Sequence, residues 1–178
     1  MNENRSSLLL PDGKLTVISG GQTGVDRAAL DAALRQRVPI AGWCPSGRRA
    51  EDGRIPRKYR LQETDSWNYT VRTEWNVRDS DGTLVIVMDA VSGGTKLTVK
   101  LARQHHKPLQ IVRLRTQSAG ENSPTLSVSA VVRWIASRKI RVLNVAGPRN
   151  NPDGRIYAEA RRFCEQVFSA LMAATAAI

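Results

Sequence analysis

Apolar residues follow two alternating patterns along the chain. Short unbroken runs at 15–19, 40–43, 83–89 (TLVIVMD), 108–114 (PLQIVRL) and 141–147 (RVLNVAG) predict strands. TLVIVMD has no polar alternation, as in a parallel strand buried on both faces. Between these runs the apolar positions recur at three- and four-residue spacing, which predicts helices. Val25, Ala28, Ala29 and Ala32 share one face after the first run, with Leu30 and Leu34 beside it. Further helices are expected over 95–105, over 125–138 (Leu126, Val128, Val131, Val132, Ile135) and over about 154–175 (Ile156, Phe163, Val167, Leu171). Residues 44–82 carry no clear period and read as a long irregular, polar excursion, and 116–124 as a Ser/Gly/Asn-rich loop. The expected fold is α/β: a doubly wound, mainly parallel sheet of about five or more strands with helices on both faces. No repeat and no domain-length linker interrupts the pattern, so 1–178 reads as one domain, with 1–13 a flexible N-terminal extension.

In such a sheet ligands gather beyond the carboxyl ends of the strands. Three glycine-bearing segments follow predicted strands: SGGQTG (19–24), SGGT (92–95) and NVAGPR (144–149). They are expected to converge on one sheet edge. Gly20, Gly21, Gln22, Thr23, Gly24 and Asp26 form a strand–turn–helix junction that suits an anion at a helix N-terminus. It is neither a P-loop nor a GxGxxG fingerprint. A tight turn that needs glycine for geometry alone remains the plain alternative, with Asp26 merely favouring the helix start. Ser92, Gly93, Gly94 and Thr95 repeat the design, and Gly147 closes the third turn. Arg48 and Arg49 are candidates to close over a phosphate, since arginine grips it bidentately; a solvated charged loop is the competing view. Glu51 is a candidate for acid–base work, though spacing shows it no nucleophile or metal. Residues 72–76 are expected to fold back over the site or into a neighbouring subunit, which adds Asn76.

Charge changes the picture less than it first suggests. The 27 Lys and Arg outnumber 16 Asp and Glu, a net charge of +11. The basic residues are scattered, with their densest cluster at 46–60 and no nucleic-acid-binding signature. A basic cleft for a phosphorylated small molecule accounts for them as well as nucleic acid does, and a charged, solubilising surface is the third option. Two cysteines, Cys44 and Cys164, without CxxC spacing speak against a disulfide framework or a structural zinc. The absence of a long apolar run or signal-peptide core leads to the expectation of a cytoplasmic protein with no membrane partner.

ISGGQTGVDRAALDAAL, GWCPSGRRAEDGRIP, RTEWNVRDSDGTL and SGGT together resemble the putative molybdenum carrier family, over roughly 15–170. That family is similar to molybdenum cofactor carrier proteins and belongs to a Rossmann-like group with the cytokinin-activating phosphoribohydrolases. The resemblance implies a homo-oligomer, dimer or tetramer, that holds molybdenum cofactor (molybdopterin) by its phosphate for a molybdoenzyme recipient. The metal would arrive inside the ligand, so no separate protein-ligated metal is expected, nor a catalytic residue. The alternatives are a phosphoribohydrolase-like, nucleotide-processing hydrolase or a nucleotide-ligand sensor. The hydrolase relatives carry PGGxGTxxE, where this chain reads SGGTKLTVK (92–100), lacking the proline, the later glycine and the glutamate. Glu51 would then have to act in its place. Nucleic-acid binding rests on charge alone.

Overall fold

The computed structural model describes residues 15–114 and 125–176. The expected N-terminal extension, 1–13, and the loop 116–124 lie outside them. Five parallel strands form the sheet: β1 (Thr16–Ile18), β2 (Ile40–Ala41), β7 (Gly82–Val87), β8 (Leu109–Arg113) and β9 (Val142–Ala146). The sheet order is β2-β1-β9-β7-β8. Val17 lies beside both Ile40 and Leu143, and Leu84 beside Val145, so the last strand of the chain is wedged between β1 and β7. Counted from β9, the order is 3-2-1-4-5, the Rossmann arrangement with its first strand supplied by the end of the chain.

Helices α1 (Val25–Arg35), α2 (Tyr69–Asp79), α3 (Gly93–Gln104), α4 (Val128–Ser137) and α5 (Arg155–Ala176) cover the sheet. Strand residues alternate between two faces, and β7 shows what each face meets. Leu84 and Ile86 join the main core with Val25, Ala29 and Ala32 of α1, Val131 and Ile135 of α4, and Phe163, Val167 and Phe168 of α5. Val85 and Val87 turn the other way, onto Val99 of α3. α3 in turn packs Leu101 and Ala102 against Val77 of α2. The result is a sheet between two helical layers, as the apolar pattern predicts.

The stretch 44–82 departs from expectation, because it contains α2. Its buried residues are Thr73, Asn76, Val77 and Asp79, a face with a single aliphatic side chain and therefore no apolar stripe. Asn68 caps it by accepting the Thr70 N–H at 2.9 Å. The expected strand 40–43 is also cut. Ile40 and Ala41 pair with β1, whereas β3 (Trp43–Cys44) leaves the sheet to pair with β6 (Gln62–Glu63). Gly42, at φ 127°, makes the break, and the Asn76 amide holds Trp43 away by bonding both its N–H and its C=O. A second small ribbon, β4 (Arg49–Ala50) with β5 (Gly53–Arg54), completes the excursion.

Candidate functional site

Read outward from the central strand β9, the order runs through β1 and β2 on one side and, in the opposite direction, through β7 and β8 on the other. The crevice where this direction reverses is the favoured ligand position of the fold. A cavity of about 590 Å³ occupies it, within the range of small-molecule sites. Its walls come from Gln22 and Asp26, from Tyr69, Arg72 and Thr73 of α2, from Ser92, Gly93, Gly94, Thr95, Leu97 and Thr98 at the start of α3, and from Ala146, Gly147, Pro148 and Arg149 at the end of β9 and beyond it.

The first glycine turn is closed from within. The Gln22 N–H donates to Asp26 Oδ2 at 3.3 Å, the Thr23 N–H to Gln22 Oε1 at 3.0 Å, and the Val25 N–H to the Pro148 carbonyl at 3.2 Å. Gly24, at φ 78°, permits the last contact: a Cβ there would meet the Pro148 carbonyl oxygen at 2.4 Å. The N-terminus of α1 thus spends much of its donor capacity internally. That of α3 is built differently. Ser92 makes no side-chain cap, and a Cβ on Gly93 or Gly94 would meet nothing within 4 Å. Gly93, Gly94 and Thr95 line the cavity, so the amino end of α3, with its positive dipole, lies in the cavity wall.

Behind the turn lies a buried ion pair. Arg72 Nη1 is 3.2 Å from Asp26 Oδ2, and the two side chains are 14% and 4% exposed. The guanidinium rests on the backbone of Gly20, where a Cβ would fall 1.8 Å from Arg72 Nη1. Glycine is needed here for close approach. Burial pushes the Asp26 carboxyl above its usual range, outweighing the opposing pull of Arg72 and of the Gln22 N–H. Two donors remain unpaired among the described residues: Gln22 Nε2 and Arg72 Nε are both buried without a hydrogen-bond acceptor. An unmet buried donor costs about 1–3 kcal/mol, and both belong to side chains that line the cavity.

Arg149 stands at the mouth. Its guanidinium lies 5.4 Å from the Tyr69 ring centre, with Arg72 at 6.0 Å from the same ring. Arg149 Nη1 is 3.4 Å from Glu51 Oε2, while the other Glu51 oxygen accepts from the Thr23 hydroxyl. Each of the two cations in the cavity wall thus has a carboxylate partner, Arg72 with Asp26 and Arg149 with Glu51.

The candidate residues divide into groups. Gln22, Asp26, Ser92, Gly93, Gly94, Thr95 and Gly147 come together in the cavity wall. Gly20, Gly21, Thr23 and Gly24 shape the turn behind it. Glu51 reaches the rim of that turn but is not among the lining residues. Arg48 and Asn76 are elsewhere. Arg48 is buried, and its guanidinium donates to the carbonyls of Ile55, Pro56, Tyr59 and Leu61 at 2.8–3.2 Å. It clamps the 55–61 segment with four of its five N–H donors, away from the cavity. Arg49 is exposed, 5.8 Å from the Trp67 ring. Asn76 is spent on Trp43. Tyr69, Arg72, Thr73 and Arg149 were not singled out as ligand residues. Arg72 falls in the 72–76 segment expected to fold over the site, and Arg149 directly follows the third glycine turn.

Both cysteines are buried and free. Among the described residues no group of three or more His, Cys, Asp or Glu is placed to hold a metal ion. No described helix is long and apolar enough to cross a membrane.

A family model described as the circularly permutated YpsA SLOG family matches residues 17–168. A crystal structure described as that of a "Putative molybdenum carrier protein" from Syntrophus aciditrophicus SB is 42% identical to this chain. It aligns with a TM-score of 0.75, covering 88% of this chain and 95% of its own. No protein in the curated set matches. The permutation is visible in the sheet itself, where the closing strand β9 takes the central place that opens a conventional Rossmann chain. By sequence, and by that strand order, the chain belongs to the circularly permutated YpsA SLOG family.

Proposed function

We propose that this protein binds and carries a phosphorylated heterocyclic cofactor, molybdenum cofactor being the ligand that best fits the site and the relative. The observation that carries this reading is the switch-point cavity itself, where the glycine-rich start of α3 and Arg149 meet the buried Arg72–Asp26 pair. The amides of Gly93, Gly94 and Thr95 would hold the phosphate, with Arg149 adding charge at the mouth. Gln22, Arg72 and Asp26 would face the ring. The cofactor brings its own dithiolene-bound metal, so a carrier has to supply only binding, orientation and exclusion of water. The solved relative described as a molybdenum carrier supports the same assignment. The protein would act in the cytoplasm as a homo-oligomer, delivering the cofactor to a molybdoenzyme.

One observation favours a second reading. Asp26 is a carboxyl in the cavity wall, raised by burial, which is how a general acid is prepared. A nucleotide hydrolase would use it rather than Glu51. Native mass spectrometry of the protein purified from cells making molybdenum cofactor separates the two. A retained mass equal to that cofactor is expected, with no release of base from nucleoside monophosphates. Steady release of base, abolished by Asp26→Asn, would replace the carrier with the hydrolase.

A further inference from the structure

We infer that the ligand continues past its phosphate: a second compartment, over the end of β7, takes a ribose joined to that phosphate, so the full ligand is of dinucleotide type rather than a phosphate monoester. This rests on the reading of the large cavity as a site for a phosphorylated heterocycle, and it adds what lies beyond the phosphate.

A smaller cavity of about 130 Å³ adjoins the large one. The two have Ser92, Thr95, Pro148 and Arg149 in common, from the start of α3 and the segment after β9. The compartments therefore meet at the place assigned to the phosphate, and a chain that leaves the phosphate away from the ring enters the smaller one. Its size argues against a separate occupant. Whole-ligand sites run to about 300–1,000 Å³, so this is room for one further fragment. The chemistry of the walls says which. Val87, Met88, Ala90 and Ile156 give the compartment aliphatic sides. Asp89 lines it, is exposed, and has no hydrogen-bond or ionic partner among the described residues, so its carboxylate is open to a donor. Asn151 uses Oδ1 to accept the Ile156 N–H at 3.2 Å, which leaves its amide N–H groups to donate. A carboxylate among aliphatic walls disfavours a second anion there. A sugar ring suits both elements: its hydroxyls donate to Asp89 and accept from Asn151, and its C–H faces pack on the aliphatic sides.

Calorimetric titration of the full chain compares three probes: 6-(phosphooxymethyl)pterin, and the same pterin joined to the 5′-carbon of ribose through one phosphate or through pyrophosphate. At least one ribose-bearing probe is expected to bind about tenfold or more tighter than the monoester, the gain of a hydroxyl–carboxylate bond. Ala90→Phe, at an exposed position of the smaller compartment, fills it. It is expected to erase that gain and leave the monoester affinity unchanged. If this variant does not fold, Asp89→Ala takes its place with the same expectation. Equal binding of all three probes by the wild type, or a gain that survives the substitution, overturns the ribose compartment and leaves the phosphate site standing. Absence of binding by every probe overturns the underlying reading, and the ribose compartment with it.

Discussion

Replacing Arg72 with Met keeps most of the side chain's length and removes the guanidinium 3.2 Å from Asp26 Oδ2. Asp26 would then sit 4% exposed, with the Gln22 N–H still bonded to Oδ2 at 3.3 Å. Removing one partner of a buried ion pair costs about 3–5 kcal/mol, because the other charge stays buried. The retained N–H and the apolar Met stem put the expected loss near the low end, about 3 kcal/mol. With a urea dependence of about 2 kcal/mol per molar, the unfolding midpoint should fall by about 1.5 M. The pH dependence is the sharper test. In the wild type, burial already lifts Asp26 above the ordinary 3.8, so its ionised form opposes folding and acidification relieves it. Without Arg72 the carboxyl rises further. The penalty of the variant is therefore fully present where Asp26 is ionised in both proteins, and it shrinks as the pH falls through the variant's higher value. Urea melts at about pH 8 and about pH 5 should show a larger gap at the higher pH. A gap under about 1 kcal/mol, or one that grows on acidification, would refute the role given to this pair.

Arg48→Met should destabilise by about 2–4 kcal/mol, since it strips four carbonyls of their donor, and should speed proteolysis at 55–61 while ligand affinity changes less than about twofold. Asp31 accepts from Lys58, Tyr59 and Tyr157 at 2.8–2.9 Å. Burial pulls its carboxyl up, but these three bonds outweigh it and leave it below 3.8. Its contribution is thus complete above 3.8 and lost as the pH falls through the lower folded value. Asp31→Ala should cost about 1.5–3 kcal/mol at neutral pH in a thermal melt, and much less in strong acid. Burial pushes the Cys164 thiol up to about 12, so a thiol-reactive dye should label it only as the protein unfolds, as read by mass spectrometry of the labelled peptide.

The elements with an apolar period were legible in the sequence. The strands around Val17, Leu84, Ile111 and Leu143 and the helices α1, α3, α4 and α5 lie where their periods put them, within a few residues. α2 was not legible because it buries Thr73, Asn76 and Asp79, polar residues whose hydrogen bonds, not their hydropathy, hold them inside. The two-residue ribbons are too short to carry a period. Strand order was also hidden: nothing in RVLNVAG says that it enters between β1 and β7. The glycine turns announced the candidate site because each follows a strand in a sheet whose ligand edge is fixed by topology. Arg48 misled because its partners are backbone carbonyls 7–13 residues away, which any sequence provides. Arg72 looked like one charge in a polar stretch until α2 carried it 46 positions back to Asp26.

The central claim is that a phosphorylated ligand docks its phosphate on the open end of α3, in the crevice between β9 and β7. Amide NMR of the ¹⁵N-labelled protein, titrated with molybdenum cofactor or the pterin phosphate, tests it most directly. The Gly93, Gly94 and Thr95 amides should shift together and saturate, while the Arg48 Nε–H, bonded to the Ile55 carbonyl, stays fixed. Saturable shifts confined to the ribbon 49–54, with α3 unmoved, would contradict it.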